Sequence, residues 1–311
     1  DSFGRTVVST EEYVEGTSQP IRGTQTVYDP QGRTIRSIQL SGVVVAIDST
    51  TGNSTLTSRG TIVSQSQTTY NSDGRVAFTT DAYGLETHTT WDTLGRTTET
   101  RSQSIDENGN MVWLVSQTTY DSLGRVDVST DQYLEGDASP TYGTRSIYDE
   151  LGRTVQTVRL EGIAVSINSV TGNSTLTAGG TPLWQTETLY NSDGTVFQQI
   201  SADGQITEYE YDAFRRQVAV IGTPVVINGQ TVRLRSETVY EGQGRTLQQR
   251  TNITQYANGT IDATDVQTTA YEYDSRGNVV KTTFADNTFV AMASDDRGRK
   301  ISETDQMGLT R

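Results

Sequence analysis

Short runs of alternating apolar and polar residues fill the chain, and turn residues separate the runs. In residues 71–91, two six-residue runs (75–80 and 85–90) are rich in Thr, Val and Phe. They are bounded by Asn71-Ser72-Asp73-Gly74 and Asp81-Ala82-Tyr83-Gly84. Runs of this kind are typical of β-strands joined by tight turns, and no window of about 11–18 residues shows a 3.6-residue apolar period. The pattern predicts an all-β fold, an antiparallel array of β-hairpins.

One motif recurs at the turns: an aromatic residue, Asp or Asn, two variable residues, Gly and Arg. Its clearest copies are Tyr28, Asp29, Gly32 and Arg33; Tyr70, Gly74 and Arg75; Trp91, Asp92, Gly95 and Arg96; Tyr120, Asp121, Gly124 and Arg125; Tyr148, Asp149, Gly152 and Arg153. We expect the Asp or Asn to accept hydrogen bonds from backbone N–H groups two residues on. We expect the Gly to adopt the left-handed conformation that closes a type I turn with a G1 bulge.

The Arg and the aromatic residue of each motif flank the turn on opposite strands. We therefore expect them to be neighbours across one hairpin, with the ring supporting the guanidinium by a cation–π contact. The guanidinium is also expected to reach an Asp of the same or the next turn, and the tyrosines are expected to supply much of the burial. These residues are predicted to have a structural role. The alternative is a row of Tyr/Arg sites that binds a carbohydrate on a cell surface.

The spacing of the motif reveals a duplication. Residues 1–120 align with residues 121–240 without a gap and with 52 identities, including Thr51-Gly52-Asn53-Ser54-Thr55-Leu56-Thr57 against the same seven residues from Thr171. The predicted organisation is one block at 1–120, its duplicate at 121–240 and a partial block at 241–311. The basic unit is about 21 residues, and a repeat array of such units needs its neighbours to bury a continuous core.

Composition and charge exclude several function classes. The net charge is −14, which disfavours nucleic-acid binding because that needs local positive charge. No cysteine is present, and no apolar run is long enough to span a membrane.

Candidate chemistry is sparse. His88 is interpreted as a solvated strand histidine that shares a face with Glu86 and Thr90. Asp106-Glu107-Asn108-Gly109-Asn110 lacks the ligand ladder of a calcium loop and is interpreted, like Asn228-Gly229, as a two-residue hairpin turn. No catalytic, cofactor-binding or metal-binding residue is predicted, and the chain is not expected to be an enzyme.

The aromatic-Asp-x-x-Gly-Arg motif at about 21-residue spacing resembles the Tyr-Asp repeats of the Rhs family. These repeats occur in bacterial Rhs and polymorphic toxins, in the C-type component of insecticidal toxin complexes and in teneurins. The resemblance covers essentially the whole chain. It implies a β-sheet strip that spirals into a hollow shell, secreted or on a bacterial cell surface. The implied partners are flanking repeats of the same polypeptide, which is expected to continue in both directions, and an enclosed C-terminal effector.

Overall fold

The computed structural model describes residues 3–12, 20–137, 139, 141–295 and 297–311. Within these ranges the protein has 26 β-strands and no helix, so the predicted all-β class is confirmed. Strands that pair do so antiparallel, as in β7 (Val76–Thr80) with β8 (Glu86–Trp91). Both strands match the predicted runs to within one residue. That the strip spirals into a shell stays a prediction.

The chain divides into two compact units. The first contains Asp1–Arg145 and Arg159–Leu183, and the second contains Ser146–Val158 and Trp184–Arg311. The division does not follow the 120-residue sequence blocks, because two parts of the second block, residues 121–145 and 159–183, belong to the first unit.

The strands up to residue 148 belong mainly to the first unit. They are β1 (Val8–Thr10), β2 (Arg22–Tyr28), β3 (Thr34–Ser41), β4 (Val44–Ile47), β5 (Ser54–Ser58), β6 (Thr61–Tyr70), β7, β8, β9 (Thr97–Ile105), β10 (Met111–Tyr120), β11 (Val126–Thr130), β12 (Tyr133–Leu134) and β13 (Tyr142–Tyr148). Most pair with their chain neighbours, but β3 pairs with β6, and β4 and β5 form a separate two-stranded sheet. This extra hairpin fills the long interval between the motifs at Asp29 and Asn71.

Two long strands, β14 (Thr154–Ile167) and β15 (Ser174–Tyr190), run through both units. Their outer halves form the hairpin that packs with the first unit. The second unit continues with β16 (Val196–Ile200), β17 (Ile206–Tyr211), β18 (Gln217–Ile221), β19 (Val225–Ile227), β20 (Gln230–Tyr240), β21 (Thr246–Tyr256), β22 (Ile261–Asp262), β23 (Gln267–Tyr273), β24 (Val279–Thr283), β25 (Phe289–Ser294) and β26 (Lys300–Thr304).

Aliphatic side chains form the buried core of each unit. In the first unit Ile38, Leu40 and Val43 cluster with partly buried valines from β1, β2 and β4. In the second unit Ile221 and Ile253 are among the most buried side chains. No described tyrosine falls in the fully buried class, and most are half-buried. That tyrosines supply much of the burial therefore stays a prediction. Because side chains alternate between the two faces of a strand, these Ile, Leu and Val side chains lie on the buried face. Full burial of each contributes about 1.5–3 kcal/mol to the free energy of unfolding.

Two longer loops recur at equivalent positions, 13–20 and 133–140. All but Pro20 of the first lies outside the described residues. In the second, β12 pairs with β10, and the Tyr133 hydroxyl donates to Gln117 Oε1 at 3.1 Å. The described part of the chain holds no helix that is long and apolar enough to cross a membrane.

Candidate functional site: interlocked turns and a docked hairpin

Each motif closes a turn in which the acidic side chain organises the backbone. At the first complete copy, Asp29 Oδ1 accepts from the backbone N–H of Gln31 at 3.0 Å and of Arg33 at 2.9 Å. Gly32 N donates to the Asp29 carbonyl at 3.0 Å, and Gly32 has a φ of 84°. The strand register then shifts beside Tyr28, so the turn ends in a bulge. This is the geometry expected from the sequence, because glycine adopts the left-handed conformation with little loss of free energy.

The arginine of the motif binds the aspartate of its own turn. Arg33 Nε lies 2.7 Å from Asp29 Oδ2, and Arg96 Nε lies 2.6 Å from Asp92 Oδ2. Asp92 is the most enclosed of these aspartates, with a side chain that is 2% exposed. The same pair recurs at Asp121–Arg125, Asp149–Arg153, Asp212–Arg216 and Asp295–Arg299. Asn71 carries no charge for such a pair, and Arg75 lies 3.6 Å from Asp73 instead.

The turn lowers the pKa of its aspartate. Burial raises the pKa of Asp92, but hydrogen bonds from the Arg96 backbone and guanidinium, together with its charge, outweigh burial and leave the pKa below its usual range. The same balance lowers the pKa values of Asp29, Asp121 and Asp149. A group whose pKa is lower in the folded state stabilises the fold above its unfolded pKa and loses this contribution as pH falls through the folded value.

We therefore expect acid to destabilise the protein cooperatively. The midpoint of thermal unfolding should be nearly constant above about pH 5 and should fall as pH drops below about 4, the ordinary aspartate range. Calorimetry from pH 7 to pH 2.5 measures this, and the Asp92→Asn variant should show a shallower fall. A melting temperature that is unchanged down to pH 3 would contradict this assignment.

The aromatic residue of each motif reaches the preceding motif. The Tyr70 hydroxyl donates to the Thr34 carbonyl at 2.9 Å, and the Tyr120 hydroxyl donates to the Thr97 carbonyl at 2.6 Å. Each acceptor is the residue directly after a motif arginine. The indole Nε1 of Trp91 makes the equivalent bond to Val76 O at 2.8 Å. The bond recurs at Tyr28–Thr6, Tyr190–Thr154, Tyr240–Gln217 and Tyr273–Thr246.

The arginine completes the same link from the other side. Arg33 Cζ lies 4.2 Å from the centre of the Tyr70 ring, and Arg96 Cζ lies 4.2 Å from that of Tyr120. The contact recurs at Arg5–Tyr28, Arg153–Tyr190, Arg216–Tyr240 and Arg245–Tyr273. These contacts join successive motifs. The expectation that the guanidinium contacts the ring of its own motif is wrong, because it contacts the ring of the next motif instead. The ring and the guanidinium of one motif bind in opposite directions along the array.

Glycine of the motif also makes room for this link. A Cβ at Gly95 would lie 2.4 Å from Arg75 Nη2, and one at Gly124 would lie 3.3 Å from Arg96 Nη1. The arginine of one motif therefore packs on the glycine of the next. Tyr148 and Gly152 take the same turn positions in the fifth copy, where Gly152 has a φ of 80°.

The degenerate copies keep the turn. Arg215 stands at the glycine position with a φ of 62°, and its N–H donates to the Asp212 carbonyl at 2.9 Å. Its side chain is 64% exposed and lies 3.5 Å from Asp193. A surface pair of this kind contributes little, whereas left-handed backbone costs a residue with a Cβ about 1–2 kcal/mol.

Arg215→Gly is therefore expected to stabilise the protein by about 0.5–1 kcal/mol, the backbone relief less the entropy that glycine adds to the unfolded chain. Chemical denaturation measures the change. Arg215→Ala is the matched control, because it removes the ion pair but keeps the Cβ, and it should leave stability nearly unchanged. Equal effects of the two substitutions would show that backbone strain is absent at this turn.

A second feature is the docking of the hairpin between β14 and β15 on the turn after β8. The Thr98 hydroxyl donates to the Gly172 carbonyl at 2.7 Å, and Thr98 is 1% exposed. Asn173 Oδ1 accepts from the Thr93 backbone N–H at 3.4 Å. A Cβ at Gly172 would lie only 2.0 Å from the Trp91 carbonyl oxygen. The hairpin tip is therefore seated on the motif about 80 residues earlier in the chain.

His88 is held between aromatic rings. It shares a face with Glu86, as expected, and its Nε2 lies 2.7 Å from Glu86 Oε2. Its ring stacks on Phe78 at 5.0 Å and meets the edge of Trp113 at 5.2 Å. With a side chain that is 42% exposed, His88 is half-buried rather than simply solvated, because its ring contacts Phe78 on the neighbouring strand β7 and Trp113 on β10, one strand beyond β9.

The two Asn-Gly turns differ from each other. Asn228 and Gly229 both have positive φ, at 52° and 77°, and form the predicted two-residue turn between Ile227 and Gln230. The prediction is wrong at 106–110, where Asp106 organises a turn like that of the motif. Its Oδ1 accepts from the Asn108 and Asn110 N–H groups at 2.9 and 2.8 Å. The Asp106 oxygens are thus used within the turn.

A charged cluster in the second unit was not predicted. Arg235, with a 10% exposed side chain, contacts Glu210 at 2.6 Å and Glu237 at 2.9 Å. Glu237 also contacts Arg250 at 2.9 Å. The hydrogen bond from Arg235 lowers the pKa of Glu210 despite its partial burial. In the sequence these residues look like ordinary charged residues on the solvent-facing side of a strand. They come together only because their strands pair in the sheet.

The described residues contain no group of three or more His, Cys, Asp or Glu side chains arranged to hold a metal ion. Asp29, Asp92, Asp121 and Asp149 each face the arginine of their own turn.

Comparisons with known proteins give only distant structural similarity. No family model matches the chain, and no curated protein matches it. Among solved structures, the chain is similar to the crystal structure of TcdB2-TccC3, with 17% identity, a TM-score of 0.29 and coverage of 98% of this chain and 20% of that chain. It is also similar to TcdB2-TccC3-TEV, with 17% identity, a TM-score of 0.28 and coverage of 97% and 19%.

The chain therefore spans about a fifth of the length of the TcdB2-TccC3 chains that it matches.

Proposed function

We propose that the protein is a non-enzymatic structural segment, a β-sheet wall in a large secreted or cell-surface polypeptide of the Tyr-Asp repeat type. The observation that supports this most is the link between successive motifs. Arg33, Arg96, Arg153 and Arg216 each bind the aspartate of their own turn, lie beside the glycine of the next motif and cover its aromatic ring. The residues that recur are therefore occupied in holding the sheet together.

The resemblance extends this proposal to an encapsulating shell. In that arrangement the partners are flanking repeats and an enclosed C-terminal effector of the same bacterial polypeptide. Links that repeat along the strip add stiffness with every copy, since each unit is stabilised by its neighbours. Stiffness of this kind is what a wall around a cargo requires.

Carbohydrate binding by the tyrosine rows is the alternative, and the geometry argues against it. One face of Tyr70, for example, is covered by Arg33 at 4.2 Å, and its hydroxyl is bonded to Thr34. A sugar that stacks on this face would have to displace the guanidinium. Tyr83, which is 90% exposed, lies outside the motif and has its ring free for such a contact.

Limited proteolysis tests the wall. In the full polypeptide that carries these residues, Tyr70→Leu with Tyr190→Leu should increase trypsin cleavage of the segments that the wild-type wall protects. Tyr83→Leu is the matched control and should leave the cleavage pattern unchanged. Equal digestion of the wild type and the double variant would contradict the proposal. Saturable binding on a glycan array that Tyr70→Leu abolishes would favour the alternative.

A further inference from the structure

The outer hairpin consists of β4 and β5 in the first block and of the outer halves of β14 and β15 in the second block. Different surroundings cover these two hairpins. The hairpin of the second block is seated on Trp91–Thr98, and its Gly172 is buried while Ile167 and Leu176 are half-buried. The aligned residues of the first block have no such cover in the described part of the chain. Gly52 is exposed, Ile47 is 70% exposed and Leu56 is 37% exposed. The difference is not one of sequence, because seven consecutive residues, 51–57 and 171–177, are identical.

The seat of the docked hairpin has a second wall. Arg96 belongs to the motif that accepts the hairpin, and its guanidinium packs on Gly124 of the next motif. The residues 91–98 therefore fill the space between Gly124 on one side and Gly172–Asn173 on the other. In the first block the counterparts of these two walls are Gly4 and Gly52–Asn53.

The corresponding space in the first block is a cleft. It has a volume of about 700 Å³ and is lined by residues 4–8 and by Val45, Asn53, Ser54 and Leu56. A Cβ at Gly4 would meet no described atom within 4 Å, and neither would one at Gly52. By contrast, both counterparts in the second block, Gly124 and Gly172, are in contact with residues of the 91–98 segment. Gly4 and Gly52 thus have open space where their counterparts in the second block meet the 91–98 segment.

We infer that this cleft is a docking site for one further aromatic-Asp-x-x-Gly-Arg turn, followed by Thr at the second position after its Arg, as at Thr98. The occupant is a turn of a preceding repeat block of the same polypeptide, placed 120 residues ahead of Trp91–Thr98 in register. Its arginine packs on Gly4, its threonine hydroxyl donates to the Gly52 carbonyl, and its third residue meets Asn53. In this way the outer hairpin of each block binds a turn of the block before it, whether or not the wall encloses a cargo.

The chain itself offers no second turn that fits. The counterpart of Thr98 in the second block is Val218, which has no hydroxyl, and the counterpart of Thr90 is Glu210, which is bound to Arg235. Trp91–Thr98 is already covered by its own hairpin. A second copy of the chain is therefore a poorer occupant than a preceding block.

Adding a copy of residues 1–120 ahead of the full chain tests the inference. Hydrogen exchange is measured for residues 47–57, with residues 167–177 as the internal standard. The added block should slow exchange of 47–57 by about tenfold or more, to the level of the standard. Thr98→Val in the added block should reverse much of this effect, whereas Thr98→Val in the resident block should accelerate only 167–177.

Cross-linking gives an independent measurement, since the chain has no cysteine. Asn173→Cys with Thr93→Cys in the resident block is the control pair, and Asn53→Cys with Thr93→Cys in the added block is the test pair. Both should form a disulfide under mild oxidation. Unchanged exchange at 47–57, failure of the test pair alone, or an added block that stays unfolded beside the chain would overturn the inference. Protection of 47–57 in the unextended chain that is lost on dilution would assign the cleft to a second copy instead.

Discussion

Gly172→Ala is expected to detach the outer hairpin of the second block from its seat. The added Cβ would lie 2.0 Å from the Trp91 carbonyl oxygen, a distance that no rotamer change relieves because the backbone alone fixes the position of a Cβ and of a carbonyl oxygen. Detachment loses the Thr98–Gly172 hydrogen bond and exposes apolar surface at the hairpin. We expect a total loss of about 3 kcal/mol in the free energy of unfolding, of which about 1 kcal/mol is the left-handed backbone penalty.

Gly52→Ala is the matched control for this substitution. Gly52 has a φ of 71° against 69° for Gly172, but a Cβ there meets nothing within 4 Å. The control should lose only the backbone penalty, about 1 kcal/mol. The clash is absent once the hairpin has detached. The difference between the two variants in free energy of unfolding therefore measures the free energy of docking. Equal losses, measured by chemical denaturation, would show that docking contributes nothing.

Asp92→Ala is expected to have an effect of similar size. The Asp92 side chain accepts from Leu94 N, Arg96 N and Arg96 Nε within 2.9 Å. Removing an enclosed carboxylate leaves these donors without an acceptor and a half-buried guanidinium without its counter-charge. Losses of this kind are typically about 3 kcal/mol. Thermal and chemical unfolding measure the change.

Asp106→Ala is the control that measures the contribution of the turn to stability without that of the ion pair. Asp106 makes the same two backbone bonds but faces Asn110 in place of arginine. The control should lose the turn contribution alone and therefore less stability than Asp92→Ala. If the two substitutions cost the same, the arginine pair adds nothing and the motif is only a turn.

The turns were predictable from the sequence because they are local. Aspartate at the first position and glycine at the fourth specify the backbone of five residues without help from the rest of the fold. The period-two strands β7 and β8 followed for the same reason, since alternation over six residues defines a half-buried strand. Even Arg215, a poor residue for the turn, adopts the left-handed conformation that its neighbours impose.

The links between turns could not be predicted in the same way. The partner of Arg33 is Tyr70 and not Tyr28, because the sheet places the ring of one hairpin beside the guanidinium of the hairpin before it. Sequence spacing cannot distinguish these partners, since every motif offers the same pair. Docking of Gly172 on Trp91 spans about 80 residues, and the local sequence gives no sign of it, because residues 51–57 are identical to 171–177 but are not docked.

A double-mutant cycle on Arg33 tests the central claim, that the motif links successive turns. Arg33→Ala is combined with Tyr70→Leu in one cycle and with Tyr28→Leu in the other, and the free energy of unfolding is measured for each variant. We predict a coupling energy of about 1 kcal/mol for Arg33 with Tyr70 of the next motif and nearly zero for Arg33 with Tyr28 of its own motif. Coupling within one motif, with none to Tyr70, would contradict the interlocked array.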